Sequence, residues 1–129
     1  MKRLLIVEDQ SADLRMAVDV IRTLGFSIVE ARTSSTAAKS YLEAIVDGKE
    51  PLPDVMIVDL DLGYESGFEL LRFRHSHPEL SSMRVIVWTV LGEQQQQICR
   101  LFKVDAVVSK SDGILALKRT LEPLAAAAS

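Results

Sequence analysis

Short apolar runs alternate with longer amphipathic segments along the chain, and this alternation is the main signal for its fold. The runs are bounded by charged residues, glycines or prolines, which is typical of strands buried on both faces of a parallel sheet. Predicted strands occupy residues 4–7, 26–31, 55–58, 84–89 and 106–108, and predicted helices occupy residues 11–24, 34–46, 67–76, 93–102 and 112–124. The pattern predicts an α/β fold, a doubly wound five-stranded parallel sheet with helices on both faces.

Residues at the segment ends indicate where the helices begin and end. Ser11 is expected to cap the first helix, and Gly25 is placed to end it. Pro123 is expected to bend or end the last helix, which leaves residues 125–129 as an alanine-rich tail. The chain has no internal repeat or linker. It is therefore predicted to be one domain over residues 1–129, with a core from about residue 3 to residue 124.

Composition and charge narrow the class of protein without identifying a function. The 129 residues are 48% hydrophobic and 26% charged, which is typical of a globular domain. The net charge is −3 and the basic residues are dispersed, so direct nucleic-acid binding is not expected. Cys99 is the single cysteine, which excludes an internal disulfide. No apolar run is long enough to cross a bilayer, so the expectation is a cytoplasmic protein with no membrane contact.

Polar side chains interrupt the pattern where predicted strands end. Glu8 and Asp9 follow the first strand, Asp59 follows the third, Thr89 ends the fourth, and Lys110 follows the fifth. The carboxyl ends of parallel strands share one edge of a sheet, so these residues are expected to converge. Clustered carboxylates need a compensating cation, and oxygen ligands favour Mg²⁺. A carboxylate nucleophile, a metal, a hydroxyl and a lysine together indicate an aspartyl-phosphate site.

Each of these residues also has an ordinary structural interpretation. An acid at a strand end is most often a turn residue or a helix cap, and Asp9 would fit that role if Ser11 did not. One acid of the Glu8–Asp9 pair commonly only faces solvent. Thr89 would pass as a β-branched strand residue. The interpretation as a reactive site therefore depends on the joint placement of the residues.

At these residues the whole chain resembles the receiver domains of two-component response regulators. The resemblance implies the flavodoxin-like strand order 2-1-3-4-5. It implies a histidine kinase or a histidine phosphotransfer protein as phosphoryl donor, and a downstream protein partner bound through the fourth helix, fifth strand and fifth helix. A monomer or weak dimer is expected. The residues that carry the resemblance are Glu8-Asp9, Asp59 and Asp61 within Asp59-Leu-Asp61-Leu, Thr89 and Lys110.

The resemblance also assigns roles to individual residues. Asp59 would be the phosphoacceptor, and Thr89 and Lys110 would contact the phosphoryl group. Mg²⁺ would be held by Asp9, by Asp59 and by the backbone carbonyl of Asp61, with Glu8 acting partly through water.

Four positions depart from the pattern usual in receivers. Gly63 stands where a proline is usual, and Val90 stands where a small residue is usual, with the expectation that it crowds the phosphoryl site. Val107 replaces an aromatic residue whose rotation reports phosphorylation. Ser111 replaces a proline that follows the lysine through a cis bond, so a trans bond is predicted here. The acceptor residues are complete, whereas the usual readout is not.

Three functions are compatible with the sequence. The main prediction is a stand-alone receiver, which is a stoichiometric phosphoacceptor and not an enzyme. The alternative is a pseudo-receiver that keeps the fold as a non-switching scaffold for protein–protein interaction, and the replacements at Val90, Val107 and Ser111 motivate it. A phosphatase of the haloacid-dehalogenase type is the third, because Asp59-Leu-Asp61 matches its Asp-x-Asp motif, but that family places the motif on the first strand of a larger domain.

Overall fold

The computed structural model describes residues 2–90 and 92–128, and within them five strands form one parallel sheet. In chain order the strands are β1 (Arg3–Val7), β2 (Ile28–Arg32), β3 (Val55–Val58), β4 (Asp61–Leu62), β5 (Glu65–Ser66), β6 (Arg84–Thr89) and β7 (Ala106–Ser109). The sheet order is β2-β1-β3-β6-β7, and β4 pairs only with β5 as a short antiparallel hairpin. Counted over the five long strands, this order is 2-1-3-4-5, so the predicted flavodoxin-like topology is confirmed.

Helices cover both faces of the sheet. They are α1 (Ser11–Thr23), α2 (Ser35–Val46), α3 (Phe68–Ser76), α4 (Glu93–Leu101) and α5 (Ile114–Ala127). Single 3₁₀ turns follow α3 at Pro78–Leu80 and follow β7 at Lys110–Asp112. One core layer lies between the sheet and α2, α3 and α4, and the other lies between the sheet and α1 and α5. Among the described residues, no helix is long and apolar enough to cross a membrane.

The central strands are buried on both faces, as their unbroken apolar sequences predict. All four residues of β3 are fully buried. Side chains alternate between the two layers: Leu5 and Val7 of β1 pack with α2 and α3, whereas Leu4 and Ile6 pack with α1 and α5. Burial of these side chains therefore fixes the position of each strand. As a result, the polar residues that follow the strands lie at the carboxyl edge of the sheet.

The beginning of α1 differs from the prediction. Ser11 is the first helical residue, and the capping position is Gln10, whose side chain forms no capping hydrogen bond. The Gln10 carbonyl accepts from the Leu14 amide at 2.9 Å, so the first helical bond starts one residue earlier than predicted. At the other end, Gly25 adopts a φ of +89° just after the helix, as the sequence predicted.

The end of α5 also differs from the prediction. The helix continues through Pro123 as far as Ala127, so the alanine-rich segment largely prolongs the helix. Ala125 is only 3% exposed and packs, together with Leu121 one turn earlier, in the layer under α1. The free energy gained by burying Leu121 and Ala125 outweighs the cost of proline in a helix interior, which is about 3 kcal/mol and includes one lost backbone hydrogen bond. The core therefore extends past residue 124, and the single-domain boundaries of 1–129 stay a prediction.

Candidate functional site

Acidic side chains from two strand ends meet at the carboxyl edge of the sheet. Glu8 directly follows β1, and its amide donates to the Arg32 carbonyl at 3.0 Å. Asp59 directly follows β3, and its amide donates to the Val7 carbonyl at 3.0 Å. These bonds extend the strand pairing and fix the direction in which each acid leaves the sheet. One carboxylate oxygen from each of Glu8, Asp9 and Asp59 lies within 4.8 Å of the other two.

The Asp59 carboxylate is buried and is fully engaged by hydrogen-bond donors. Its Oδ1 accepts from the Thr89 hydroxyl at 2.5 Å and from the Asp61 amide at 3.0 Å. Its Oδ2 accepts from Lys110 Nζ at 2.8 Å. The side chain is 4% exposed, so these donors take the place of water around it. Thr89 reaches Asp59 because β6 lies beside β3 and ends at the same edge of the sheet.

Lys110 joins the acids from the end of β7. Its Nζ donates to Glu8 at 2.9 Å, to Asp13 at 2.8 Å and to Asp59 at 2.8 Å, which uses all three of its protons. Burial alone would lower the pKa of this lysine, but the three carboxylate hydrogen bonds outweigh burial and raise the pKa above its usual value. The side chain is therefore a firmly held cation at the centre of the acids.

Asp13 is a site residue that the sequence analysis missed. It lies in the first turn of α1, where an acid is ordinarily explained by the helix dipole. In the structure it accepts a hydrogen bond from Lys110 at 2.8 Å, so it ties α1 to the end of β7. No spacing in the sequence could have revealed this role, because Asp9 precedes the helix and the contact depends on how α1 lies against the end of β7.

The cluster carries more negative charge than its lysine neutralises. Asp9 Oδ1 is buried and accepts no hydrogen bond in the described part of the chain. Glu8 Oε2 is also buried and accepts no hydrogen bond there, although Lys110 Nζ forms an ion pair with it at 2.9 Å. Burial, reinforced by the charge of Asp59, raises the pKa of Glu8 from 4.5 to about 7, although its bonds from Lys110 and from the Gln10 amide act in the opposite direction. Buried, unpartnered carboxylate oxygens are the donor atoms that a hard divalent cation takes, so the residues present fit Mg²⁺.

The loop after Asp59 is shaped by its backbone. Asp61 is exposed and contributes its amide to Asp59; its predicted role as a metal ligand through the carbonyl stays a prediction. Gly67 donates to the Leu60 carbonyl at 3.0 Å, and a Cβ at Gly67 would lie 2.1 Å from the Asp59 carbonyl oxygen. Only glycine permits this approach, which brings the β4–β5 hairpin back against the strand end.

The sequence model described as the response regulator receiver domain matches residues 4–119. The chain belongs to the receiver-domain family. Receiver domains are signalling domains of two-component systems and are not typical enzymes, so the resemblance seen in the sequence is confirmed at this level.

Similar proteins agree with this assignment. The polar-differentiation response regulator DivK of Brucella ovis is 27% identical over 110 residues, which cover 84% of this chain and 84% of that protein. The phosphate regulon transcriptional regulatory protein PhoB of Klebsiella pneumoniae is 27% identical over 97 residues, 75% of this chain but 39% of that protein. The Mn²⁺-bound form of response regulator Rcp1 superposes with a TM-score of 0.79 at 24% identity, covering 96% of this chain and 91% of that one. At that identity the likeness shows the fold alone.

Three of the four positions that depart from the receiver pattern lie in β7 or just after β6 and β7. Val107 on β7 is partly buried against the layer of α2, α3 and α4, and it brings no ring or hydroxyl there. Val90 is 78% exposed and directs most of its surface to solvent. Ser111 lies in the 3₁₀ turn after Lys110, and no cis peptide bond occurs in the described part of the chain, as predicted. The residues that the sequence predicts for phosphoryl acceptance therefore lie together, whereas Val107 stands at the position of the usual aromatic residue.

Proposed function

We propose that this receiver domain accepts a phosphoryl group on Asp59 from a histidine kinase or a histidine phosphotransfer protein. Mg²⁺ is bound by the acid cluster during the transfer. Phosphorylation then changes the binding of a downstream protein partner. The observation that carries the proposal is the set of donors on one buried carboxylate. Thr89, the Asp61 amide and Lys110 all bond to Asp59. Two further acids, Glu8 and Asp9, lie beside it, and Asp9 has a buried oxygen with no hydrogen-bond partner among the described residues.

The transfer step requires an oxygen nucleophile and a means of holding the phosphoryl oxygens. An oxygen of Asp59 forms the new O–P bond while the N–P bond of the donor phosphohistidine breaks, and the electron pair of that bond stays on the imidazole, which takes a proton. Thr89 and Lys110 lie within hydrogen-bond distance of the carboxylate that becomes the acyl phosphate, so the same donors can turn to the incoming oxygens.

The negative charge of the three clustered acids has a role in the proposed transfer, because it would bind the metal ion. Glu8, Asp9 and Asp59 would hold Mg²⁺, and the ion when bound supplies the positive charge that offsets the transferred phosphoryl oxygens. Lys110 is held by three acids in the resting site. It has to release at least one of them to bond to the phosphoryl group, so the hydrogen bonds around Lys110 change with phosphorylation.

The decisive experiment measures phosphorylation of the intact chain. Wild type, Asp59→Asn and Asp61→Asn are incubated with acetyl phosphate or phosphoramidate, with and without Mg²⁺, and analysed by intact mass spectrometry. A Mg²⁺-dependent gain of one phosphoryl group is expected in wild type and in Asp61→Asn, which removes an exposed neighbouring acid. Asp59→Asn should gain none. An unchanged gain in Asp59→Asn would refute the assignment of the acceptor.

The surface formed by α4, β7 and α5 is the proposed partner-binding face. Leu101 on α4 is 73% exposed and Leu115 on α5 is 58% exposed, which leaves apolar contact area on two of its elements. If this face reports phosphorylation, beryllofluoride with Mg²⁺ should change deuterium uptake there more than in α2. Unchanged uptake on α4, β7 and α5 in a protein that binds beryllofluoride would contradict this part of the proposal.

The non-switching scaffold is the second candidate, and a specific observation favours it. Val107 stands at the β7 position where receivers carry an aromatic residue, and it is packed into the core layer without a polar group. A scaffold would bind its partner with the same affinity in the phosphorylated and unphosphorylated forms. A wild-type protein that gains no phosphoryl group and does not bind beryllofluoride would make this the leading function.

A further inference from the structure

A basic cavity lies at the edge of the sheet opposite to the acid cluster. It is open to solvent, has a volume of about 530 Å³ and is lined by residues from α3, from the turn that follows α3, from the start of β6 and from the loop between α4 and β7. Arg84 begins β6 and Thr89 ends it, so five residue steps of about 3.3 Å, roughly 17 Å, separate the two edges. The cavity is therefore distinct from the phosphoacceptor site.

The lining has an excess of positive charge. Arg74, Arg84 and Lys103 line the cavity together with one acid, Asp105. That acid is already engaged: Arg84 donates to it at 3.2 Å and the Val85 amide donates to it at 2.7 Å. Among the described residues, neither Arg74 nor Lys103 forms an ion pair with a carboxylate. Two permanent cations thus stay uncompensated in a chain whose net charge is −3.

Arg74 is held in place before any ligand arrives. Its Nη2 donates to the Met83 carbonyl at 2.7 Å, and longer contacts of 3.5 Å reach the carbonyls of Ser81 and Lys103. Its Nε is buried and has no acceptor in the described part of the chain. Burial lowers the pKa of Arg74, with the charge of Asp105 acting in the opposite direction. An additional anion beside this guanidinium would relieve the cost of burying it.

Lys103 reaches the cavity through an uncommon backbone conformation. It follows the end of α4 with a φ of +55°, and it is the only described residue other than glycine with a positive φ. Glycine is the usual residue at this helix position, and a side chain there costs roughly 1–2 kcal/mol. Strained residues of this kind concentrate at ligand-binding sites. This conformation brings Lys103 to the lining of a cavity that Arg74 and Arg84 also line.

We propose that this cavity binds a small anion that carries two or more phosphate groups. Its volume lies within the range of small-molecule sites, about 300–1,000 Å³, and exceeds what a single phosphate would fill. Guanidinium and ammonium groups together are the usual ligands of phosphate oxygens. The cations come from three separate chain segments, which suits an extended polyanion better than a single tetrahedral ion.

The test is an NMR titration of the full chain with inorganic pyrophosphate, in buffer with EDTA so that the acid cluster cannot retain the probe through a metal. Saturable shifts are expected for the backbone amides of Lys103, Asp105 and Val85. Lys103→Asn should weaken binding about tenfold, the effect of losing one charge-assisted hydrogen bond. Asparagine tolerates a positive φ, so this variant removes the charge without altering the fold. Lys49→Asn removes an exposed lysine outside the cavity and should bind like wild type.

The source of the phosphate groups and the specificity are resolved by two further probes. Tighter binding of ADP than of pyrophosphate would identify a nucleotide as the occupant, and equal binding would identify a free polyphosphate; both support the site. A glutamate-rich peptide that binds more tightly than either would overturn the proposal in favour of a peptide-docking surface. Absence of saturation, or an equal loss of affinity in Lys49→Asn and Lys103→Asn, would show only general counterion attraction and would also overturn it.

Discussion

Replacing Glu8 by glutamine should stabilise the metal-free protein at neutral and alkaline pH. Glu8 is 1% exposed and lies in one cluster with Asp9 and Asp59. Glutamine keeps an oxygen that can accept from Lys110 and from the Gln10 amide, the two bonds that Glu8 makes. What the substitution removes is the charge, which burial and the neighbouring acid disfavour. The variant therefore isolates the electrostatic cost of the cluster.

The magnitude follows from the raised pKa of Glu8. The folded chain binds this proton up to about pH 7, whereas the ordinary value is 4.5, so the folded state is the one that holds the proton more tightly. Stability therefore falls as the pH rises from 4.5 to 7, and the loss is complete above 7. A difference of about 2.5 units corresponds to about 3 kcal/mol. Glu8→Gln should match wild type below the window and exceed it by up to about 3 kcal/mol at pH 8.

Urea unfolding followed by circular dichroism at pH 4.5, 6, 7 and 8, in EDTA, measures this difference directly. Glu122→Gln, an exposed glutamate on α5, is the matched control and should track wild type at every pH. Mg²⁺ should stabilise wild type and reduce the advantage of the variant, because a bound cation compensates the same charge. An advantage of Glu8→Gln that is equal at pH 4.5 and pH 8 would refute the reasoning.

Three other results are expected. Gly67→Ala should lower the unfolding free energy by at least about 2 kcal/mol, because the added Cβ would collide with the backbone carbonyl of Asp59. Gly92→Ala should cost less than about 1 kcal/mol in the same urea assay, because there the Cβ would contact only a flexible side chain. Ala125→Asp should cost at least about 3 kcal/mol because it buries an unpaired charge, and Ala126→Asp, one exposed residue further along α5, should be near neutral. Emission from Trp88, whose ring has an ammonium 5.1 Å from its centroid, should change when beryllofluoride and Mg²⁺ bind, and a constant emission in protein shown to bind them would count against displacement of that cation.

The fold could be predicted because its signals are local and repeated. Each central strand is an uninterrupted apolar run ended by an acid or a hydroxyl, and burial on both faces leaves few alternatives for such a run. The same logic located the site, because a parallel sheet gathers its strand ends at one edge whatever the sequence distance. Asp59 and Lys110 are 51 residues apart in sequence and 2.8 Å apart in the structure.

The details that were not predicted depend on contacts between elements. Asp13 looks like an ordinary first-turn acid until α1 is placed beside the end of β7, where Lys110 bonds to it. Pro123 looks like the end of a helix, and only the burial of Ala125 against α1 shows why the helix continues. In both cases a local propensity worth a few kcal/mol at most is overruled by a tertiary interaction that no sequence window contains.

For the proposed function, the position of Lys110 offers a readout that does not need the usual aromatic residue. Its ammonium bonds to Asp13 on α1 and lies 5.1 Å from the centre of the Trp88 ring, and that ring packs in the layer shared by α1 and α5. Val107 faces the opposite layer, with α2, α3 and α4. A lysine that turns to a phosphoryl group on Asp59 would therefore weaken contacts on the α1 and α5 side first. Since α5 borders both that layer and the proposed partner-binding face, the rearrangement has a path to the face that does not pass through Val107.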